Sequence, residues 1–386
     1  MSGFRYVSYA QEVIFASGAL ARVGEAVERF GWQRLILCTN HSMQANGHVN
    51  SIKSVLGDRL IGTFDRVQPH VQDVQVAEAL TLADQNHVDA IIGMGGGSPI
   101  GMAKAVAFAL EEKRTDHPTR SAFPTEQPLI PVIAIPTTYA GSEMTAVYGI
   151  THTKESPPRK ITVNDPKTAP KLVIYDPELT LNLPPHLTAS TGINALAHCI
   201  EALYSITRHP LSTAAATSGI RHISSTLLNC CRDGNNLQAR AELLLGSHLA
   251  GLSLASVSMG LHHGLCHVLG GTANVPHGIA NSIILPHAIR FNAEATASQL
   301  LPAAEAMGIS LNGISPVMAI EAMAQKIFEL VGEMNLPQRL REAGAKLNES
   351  DLPDLAQLAF QNRTVQNNPR PITEPAQIQA LLRAAW

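Results

Sequence analysis

Short, unbroken apolar runs punctuate the first half of the chain: LILCT at 35–39, AIIGM at 90–94, VIAIP at 132–136 and LVIY at 172–175. Runs this short, bounded by turn-forming residues, predict strands buried on both faces. Between them, residues 74–86 and 100–110 carry apolar positions at helical spacing. Strands alternating with helices predict parallel pairing through right-handed crossovers, hence a doubly wound α/β sheet. Residues 111–127, EEKRTDHPTRSAFPTEQ, are polar and proline-bearing and predict a surface loop.

Past Asp176-Pro177 the pattern changes. Helical spacing dominates over 185–205, 211–230, 239–269 and 317–333, and strand-like runs almost vanish. The second half therefore predicts an all-α domain. A chain of 386 residues exceeds the size at which one core suffices. Two domains follow, 1–176 and 177–386, with no internal repeat or low-complexity segment.

Hydrophobic residues make up 45% and charged residues 15%, which excludes a disordered chain. The formal net charge is −3 and no run of Lys and Arg offers a nucleic-acid footprint. An anionic substrate would need a few placed cations. The N-terminus lacks the basic-then-apolar order of a signal peptide, and no apolar stretch reaches the ~18 residues of a membrane span. The most apolar segment, 241–269, is interrupted by Ser247, His248, Ser253 and Ser256 and reads as a buried helix. The five cysteines (Cys38, Cys199, Cys230, Cys231 and Cys266) show no zinc spacing, so reduced thiols in a cytoplasm are expected.

Two constellations could carry chemistry. Gly95, Gly96, Gly97 and Ser98 close a predicted strand and open a helix, where exposed amides and the helix dipole favour a pyrophosphate. The bland alternative is a tight strand-to-helix turn, and the spacing is not GxGxxG. Thr137, Thr138 and Ser142 follow the next strand; their hydroxyls either meet a cofactor's ribose and phosphate or merely cap a helix. The second constellation is histidine-based. Asn194 and His198 are four apart on one helix, His263 and His267 repeat that spacing on another, and His277 follows a glycine-rich turn. Imidazoles converging from two helices and a loop could hold a divalent metal; the alternative is scattered polar residues, which is the reading given to His248, His262 and His287.

These residues resemble the iron-containing alcohol dehydrogenases, which have dehydroquinate-synthase-like architecture. The carrying motifs are GGGSP at 95–99, PTT at 136–138 and GLHHGLCHVLGGTANVPHGIANSIILPH at 260–287. With VIFASGAL near the start, the resemblance spans nearly the whole chain. It implies that the family's metal positions, an Asp and three His, fall on Asn194, His198, His263 and His277, and that His267 faces the nicotinamide and the reacting carbon. The amide at 194 removes the one anionic donor. TTYAGSEMT at 137–145, Gly101 where metal-bearing relatives place an Asp, the spacing from Lys160 through Pro166-Lys167 to Pro170, and NPRP at 368–371 with a final AAW are similar to the maleylacetate reductase branch.

That resemblance implies an NADH- or NADPH-dependent reduction of the conjugated C=C of maleylacetate to 3-oxoadipate, in aromatic-compound breakdown, without a metal. It also implies a homodimer acting on a small dicarboxylate, with no nucleic-acid or membrane partner. Lys160 would contact the cofactor. Arg290 and Arg370 are the candidate cations for the substrate. The stretch after the first apolar run, ending at Asn40, has no carboxylate to repel a 2′-phosphate, so either cofactor is admitted. If a metal is held, His198, His263 and His277 would hold it, as in a metal-dependent alcohol or lactaldehyde-type dehydrogenase. A non-catalytic nucleotide-binding regulator and a dehydroquinate-synthase-like cyclase are the remaining alternatives.

Overall fold

A computed structural model of the chain describes residues 3–115, 120–153, 159–344 and 347–386, with the backbone alone at 159 and 160. The chain forms two compact units, Met1–Asn182 and Leu183–Trp386.

The first unit carries strands β1 (Glu12–Phe15), β2 (Leu35–Cys38), β3 (Leu60–Phe64), β4 (Ala90–Gly95), β5 (Val132–Pro136), β6 (Val147–His152), β7 (Arg159–Asn164) and β8 (Leu172–Tyr175). Its helices are α1 (Val23–Phe30), α2 (His41–Ala45), α3 (His48–Leu56), α4 (Asp73–Gln85) and α5 (Gly97–Thr115). Six strands pair in parallel in the order β1-β8-β5-β4-β2-β3, and β6 and β7 form a separate antiparallel pair.

Alternation along the strands builds two cores. Leu35, Leu37, Ile92 and Ile133 point to one face, against Val23 and Ile52 of α1 and α3. Ile36, Ile91 and Val132 point to the other, against Ala79 of α4 and Ala103 and Val106 of α5. Each buried Leu or Ile side chain contributes about 1.5–3 kcal/mol. The double burial explains why these strands read as continuous apolar runs. After β2 the chain passes to β3 on one side, while β4, β5 and β8 lie on the other. Ligands of such sheets bind beyond the strand ends where the order reverses.

The second unit is helical among the described residues: α6 (Pro185–Tyr204), α7 (Pro210–Arg232), α8 (Leu237–Ser256), α9 (Leu261–Ala273), α10 (His277–Ala306), α11 (Pro316–Glu333), α12 (Leu352–Phe360), α13 (Arg363–Gln366) and α14 (Pro375–Ala384).

Several expectations need correction. The loop predicted over 111–127 begins later, because α5 continues to Thr115. Buried Glu111 accepts from the Leu129 amide at 2.8 Å and pairs with Lys167. The single helix predicted over 239–269 is two, α8 and α9, bent by 97°. No single helix is long and apolar enough to cross a membrane. Gly270 and Gly271 lie inside α9 rather than in a turn. The turn is made by Asn274 in the left-handed region (φ +53°), and His277 opens α10 instead of sitting in a loop. All five cysteines are unbridged, and all but Cys231 are buried.

Candidate active site

In the first unit, three predicted stretches emerge from the C-terminal ends of neighbouring strands. Asn40 follows β2, Gly95–Ser98 follow β4, and Thr137, Thr138 and Ser142 follow β5. Gly95 holds φ +139°, and a Cβ there would lie 2.9 Å from Pro99 Cγ, so glycine alone fits the turn. A Cβ on Gly96 would come within 3.3 Å of Thr138, and one on Gly97 within 4.0 Å of Ser142. The glycine run and the hydroxyl segment therefore form one surface at the N-terminus of α5. No hydrogen bond among the described residues engages the hydroxyls of Ser98, Thr137, Thr138 or Ser142. They do not cap a helix: the one-turn 3-10 helix Ser142–Met144 has Gly141 at its cap, with no side-chain bond. Asn40 does cap, its Oδ1 accepting from the Met43 amide and the Ser42 hydroxyl, which leaves its amide N–H groups for a ligand. Lys160 lies in β7, and its side chain is outside the described residues.

Sequence reasoning missed Lys104. This fully buried lysine on α5 donates from Nζ to the carbonyls of Ser142 (2.7 Å), Thr145 (2.8 Å) and Val147 (3.0 Å), and to Thr145 Oγ1 (3.3 Å). Burial, opposed by Glu143, pulls its pKa down to about 7. Three carbonyls nevertheless call for the three N–H bonds that only the ammonium has. Lys104 thereby ties the hydroxyl segment to α5. Nearby, a Cβ on Gly101 would lie 3.0 Å from Val71 Cγ2.

In the second unit the predicted imidazoles come together. The His198 and His263 rings stack with centroids 4.6 Å apart and planes 17° apart. His263 lies 6.1 Å from His277 and 6.4 Å from His267, and His267 and His277 are 5.8 Å apart. Asn194, one turn before His198 on α6, is buried; His267 is exposed and His277 half-buried. His198 Nδ1 and His263 Nε2 are buried without a hydrogen-bond partner. Burial and the neighbouring imidazole of His263 push His198 well below its ordinary pKa, so it is neutral at pH 7.

Glu201 and His262 complete the cluster; Glu201 was not singled out from the sequence, and His262, read there as a scattered polar residue, is instead buried beside His263. Glu201 is buried on α6 and accepts from the backbone amides of Gly260 (3.0 Å) and His263 (3.1 Å) and from His263 Nδ1. His262 Nδ1 lies 3.5 Å from the same carboxylate, and its Nε2 donates to the Asn281 carbonyl at 3.2 Å. Burial would raise the Glu201 carboxyl, but His263 and His262 outweigh it and hold it below the usual range. Burial pulls His262 down, while Cys266 and Glu201 pull it up more strongly, to about 10. Glu201, three residues after His198 and the one Asp, Glu, Lys or Arg in its helix, was the available signal.

The residues at the family's metal positions make a weaker metal site than an Asp and three His would, although Asn194 Oδ1, His198 Nδ1 and His263 Nε2 are all buried without a hydrogen-bond partner among the described residues. The family positions supply a neutral amide and three imidazoles, with no anionic donor. A ring nitrogen's lone pair lies in the ring plane, so two stacked rings cannot both aim at one ion. Among the described residues, the His/Cys/Asp/Glu group whose donor atoms lie within 4.8 Å of one another is Glu201, His262 and His263. There the hydrogen bond between Glu201 and His263 closes the gap an ion would need. The predicted substrate cations are also otherwise engaged. Arg290 donates to Glu321 (2.8 Å) and Gln325 (3.1 Å). Arg370 donates to the Phe291 carbonyl at 2.6 Å and stacks 4.5 Å over its ring.

Comparison with known proteins extends this geometry. Residues 10–177 match the iron-containing alcohol dehydrogenase family, and residues 188–386 match the C-terminal domain of the Fe-containing alcohol dehydrogenases. The chain belongs to the iron-containing alcohol dehydrogenase family. It is therefore an NAD(P)H-dependent oxidoreductase with the family's fold. A maleylacetate reductase of Sphingobium indicum is 34% identical over 99% of this chain and 97% of its own length. A 1,3-propanediol dehydrogenase of Citrobacter freundii is 33% identical over 96% of each. The crystal structure of maleylacetate reductase from Agrobacterium tumefaciens superposes with a TM-score of 0.83 at 31% identity, covering 100% of this chain and 99% of that one.

Proposed function

We propose that the protein reduces the conjugated C=C bond of maleylacetate to give 3-oxoadipate, with no metal ion taking part. The observation that carries this reading is the donor set: an amide at 194, His198 and His263 stacked, and no carboxylate left over to bind a cation. Full-length similarity to maleylacetate reductases supports it. NAD(P)H supplies the hydride to the alkene carbon, leaving an enolate spread onto the ketone oxygen. An enolate is far less basic than an alkoxide, so hydrogen-bond donors suffice where alcohol chemistry wants a Lewis acid.

The residues divide the work. Gly95, Gly96, Gly97 and Ser98 hold the pyrophosphate with backbone amides, and Thr137, Thr138 and Ser142 bind ribose and nicotinamide. Asn40 and Lys160 contribute to cofactor binding. His198, neutral, offers an N–H to the oxyanion, and Asn194 lies one turn before it on α6. His263 meets the substrate through Nε2, and His277 and His267 bind the substrate and deliver the proton to the neighbouring carbon.

Chelator-stripped protein, assayed for metal and given maleylacetate with NADH or NADPH, should consume cofactor rapidly. Turnover that returns only with iron or zinc would overturn the reading. The second reading is a metal-dependent alcohol dehydrogenase, favoured by the comparable identity to the 1,3-propanediol dehydrogenase. It predicts oxidation of simple diols once metal is restored.

A further inference from the structure

We propose that Glu201 is a positioning residue that fixes which nitrogen of His263 meets the substrate. The inference rests on the reading above only in giving His263 a substrate to meet.

The geometry has three parts. Glu201 stands on α6 one turn past His198, so both project from the same face. Its carboxylate accepts the amides of Gly260 and His263, which belong to the N-cap and first turn of α9. Helix α9 has no side-chain cap of its own. Glu201 supplies one from another helix, at the end where the helix dipole favours an anion. The cap holds the carboxylate still, and the ring of the residue it caps then hydrogen-bonds to it through Nδ1.

A carboxylate oxygen accepts, so Nδ1 carries the hydrogen; His262 Nδ1 also lies 3.2 Å from that nitrogen and shares the same carboxylate. Whatever reaches His263 from a substrate meets Nε2, which is buried and has no partner in the structure. His262 braces the arrangement. Its Nε2–H is committed to the Asn281 carbonyl, and the Asn281 side chain donates to the His277 carbonyl at 2.7 Å. One carboxylate thus orients the ring on α9 and, through His262 and Asn281, is linked to the first turn of α10. A glutamine at 201 keeps the shape but presents both a donor and an acceptor, so the ring is free to bond through either tautomer.

Two measurements test this. In protein labelled with 15N-histidine, the His263 resonance, assigned by its loss in His263→Gln, should report the Nδ1–H tautomer. In Glu201→Gln it should shift toward a mixture. Kinetically, Glu201→Gln should lower kcat by about 10–100-fold with KM for NAD(P)H unchanged. An Nε2–H tautomer in the unsubstituted protein would overturn the proposal, as would turnover within twofold in a folded Glu201→Gln. If that variant does not fold, the tautomer in the unsubstituted protein decides alone. If the unsubstituted protein fails to reduce maleylacetate, the functional reading falls while the tautomer still tests Glu201.

Discussion

Lys104 in the first unit and Glu201 in the second are both fully buried on helices, and the two are solvated in opposite ways. Lys104 on α5 is met by backbone carbonyls, all from residues 142–147, and what it fixes is the course of a segment. Glu201 on α6 is met by two backbone amides and two imidazoles, and what it fixes is the orientation of a ring. Neither relies on a conventional salt bridge with a surface partner. A buried ion held by backbone groups shapes the chain, whereas one held by titratable rings also shapes chemistry. The comparison teaches where damage should appear on substitution: in stability and cofactor affinity for the lysine, in turnover for the glutamate.

The strongest test of that contrast is Lys104→Met, which keeps the length and removes every donor. Leaving buried carbonyls unmet should destabilise the protein by about 2–4 kcal/mol, read from the denaturant midpoint. It should also raise KM for the cofactor more than it lowers kcat. A loss confined to kcat would make Lys104 resemble Glu201 and erase the distinction.

A smaller effect follows from pH. Lys104 is lowered to about 7 in the folded chain, against 10.5 for an ordinary lysine. Between those values the unfolded chain keeps a proton that the folded chain has released, so stability contributed by this group rises with pH. Below about 7 both states are protonated and the gain is absent. The carbonyls around the ammonium oppose release of the proton and so reduce this gain. Denaturant midpoints at its two ends should show the rise, and Lys104→Met should lack it.

The smallest effect belongs to an exposed pair. Arg232 and Glu333 meet at 2.9 Å with both side chains more than half exposed. Arg232→Ala should change stability by less than about 0.5 kcal/mol. A larger loss would show that burial is not what separates the ions that matter here.

What was legible in the sequence follows the same physics. Strands β2, β4, β5 and β8 read as apolar runs because both faces are covered. Strands β1 and β3 are edges, and β6 and β7 make a two-stranded pair, so their sequences alternate or mix and escaped notice. The break between α8 and α9 was hidden for a different reason. Its backbone groups are satisfied by distant side chains: Ser258 N by Thr207, the Ser258 carbonyl by Ser205, and Gly260 N by Glu201. No local pattern carries that information. Helix α10 was not among the predicted helices; it carries Pro286 and Pro302 inside it, residues that interrupt a helical pattern. The glycine and hydroxyl motifs were legible because each is contiguous. The histidines were legible as pairs along a helix, but Glu201 and His262 acquire meaning only once α6 and α9 are packed.

Gly101 leaves α5 in close contact with a residue outside that helix. The nearest atom to a Cβ built there is Val71 Cγ2, at 3.0 Å. Any side chain introduced at 101 would press on that valine, and a smaller residue at 71 would relieve the pressure. Room on this face of α5 is therefore governed from a position outside the helix.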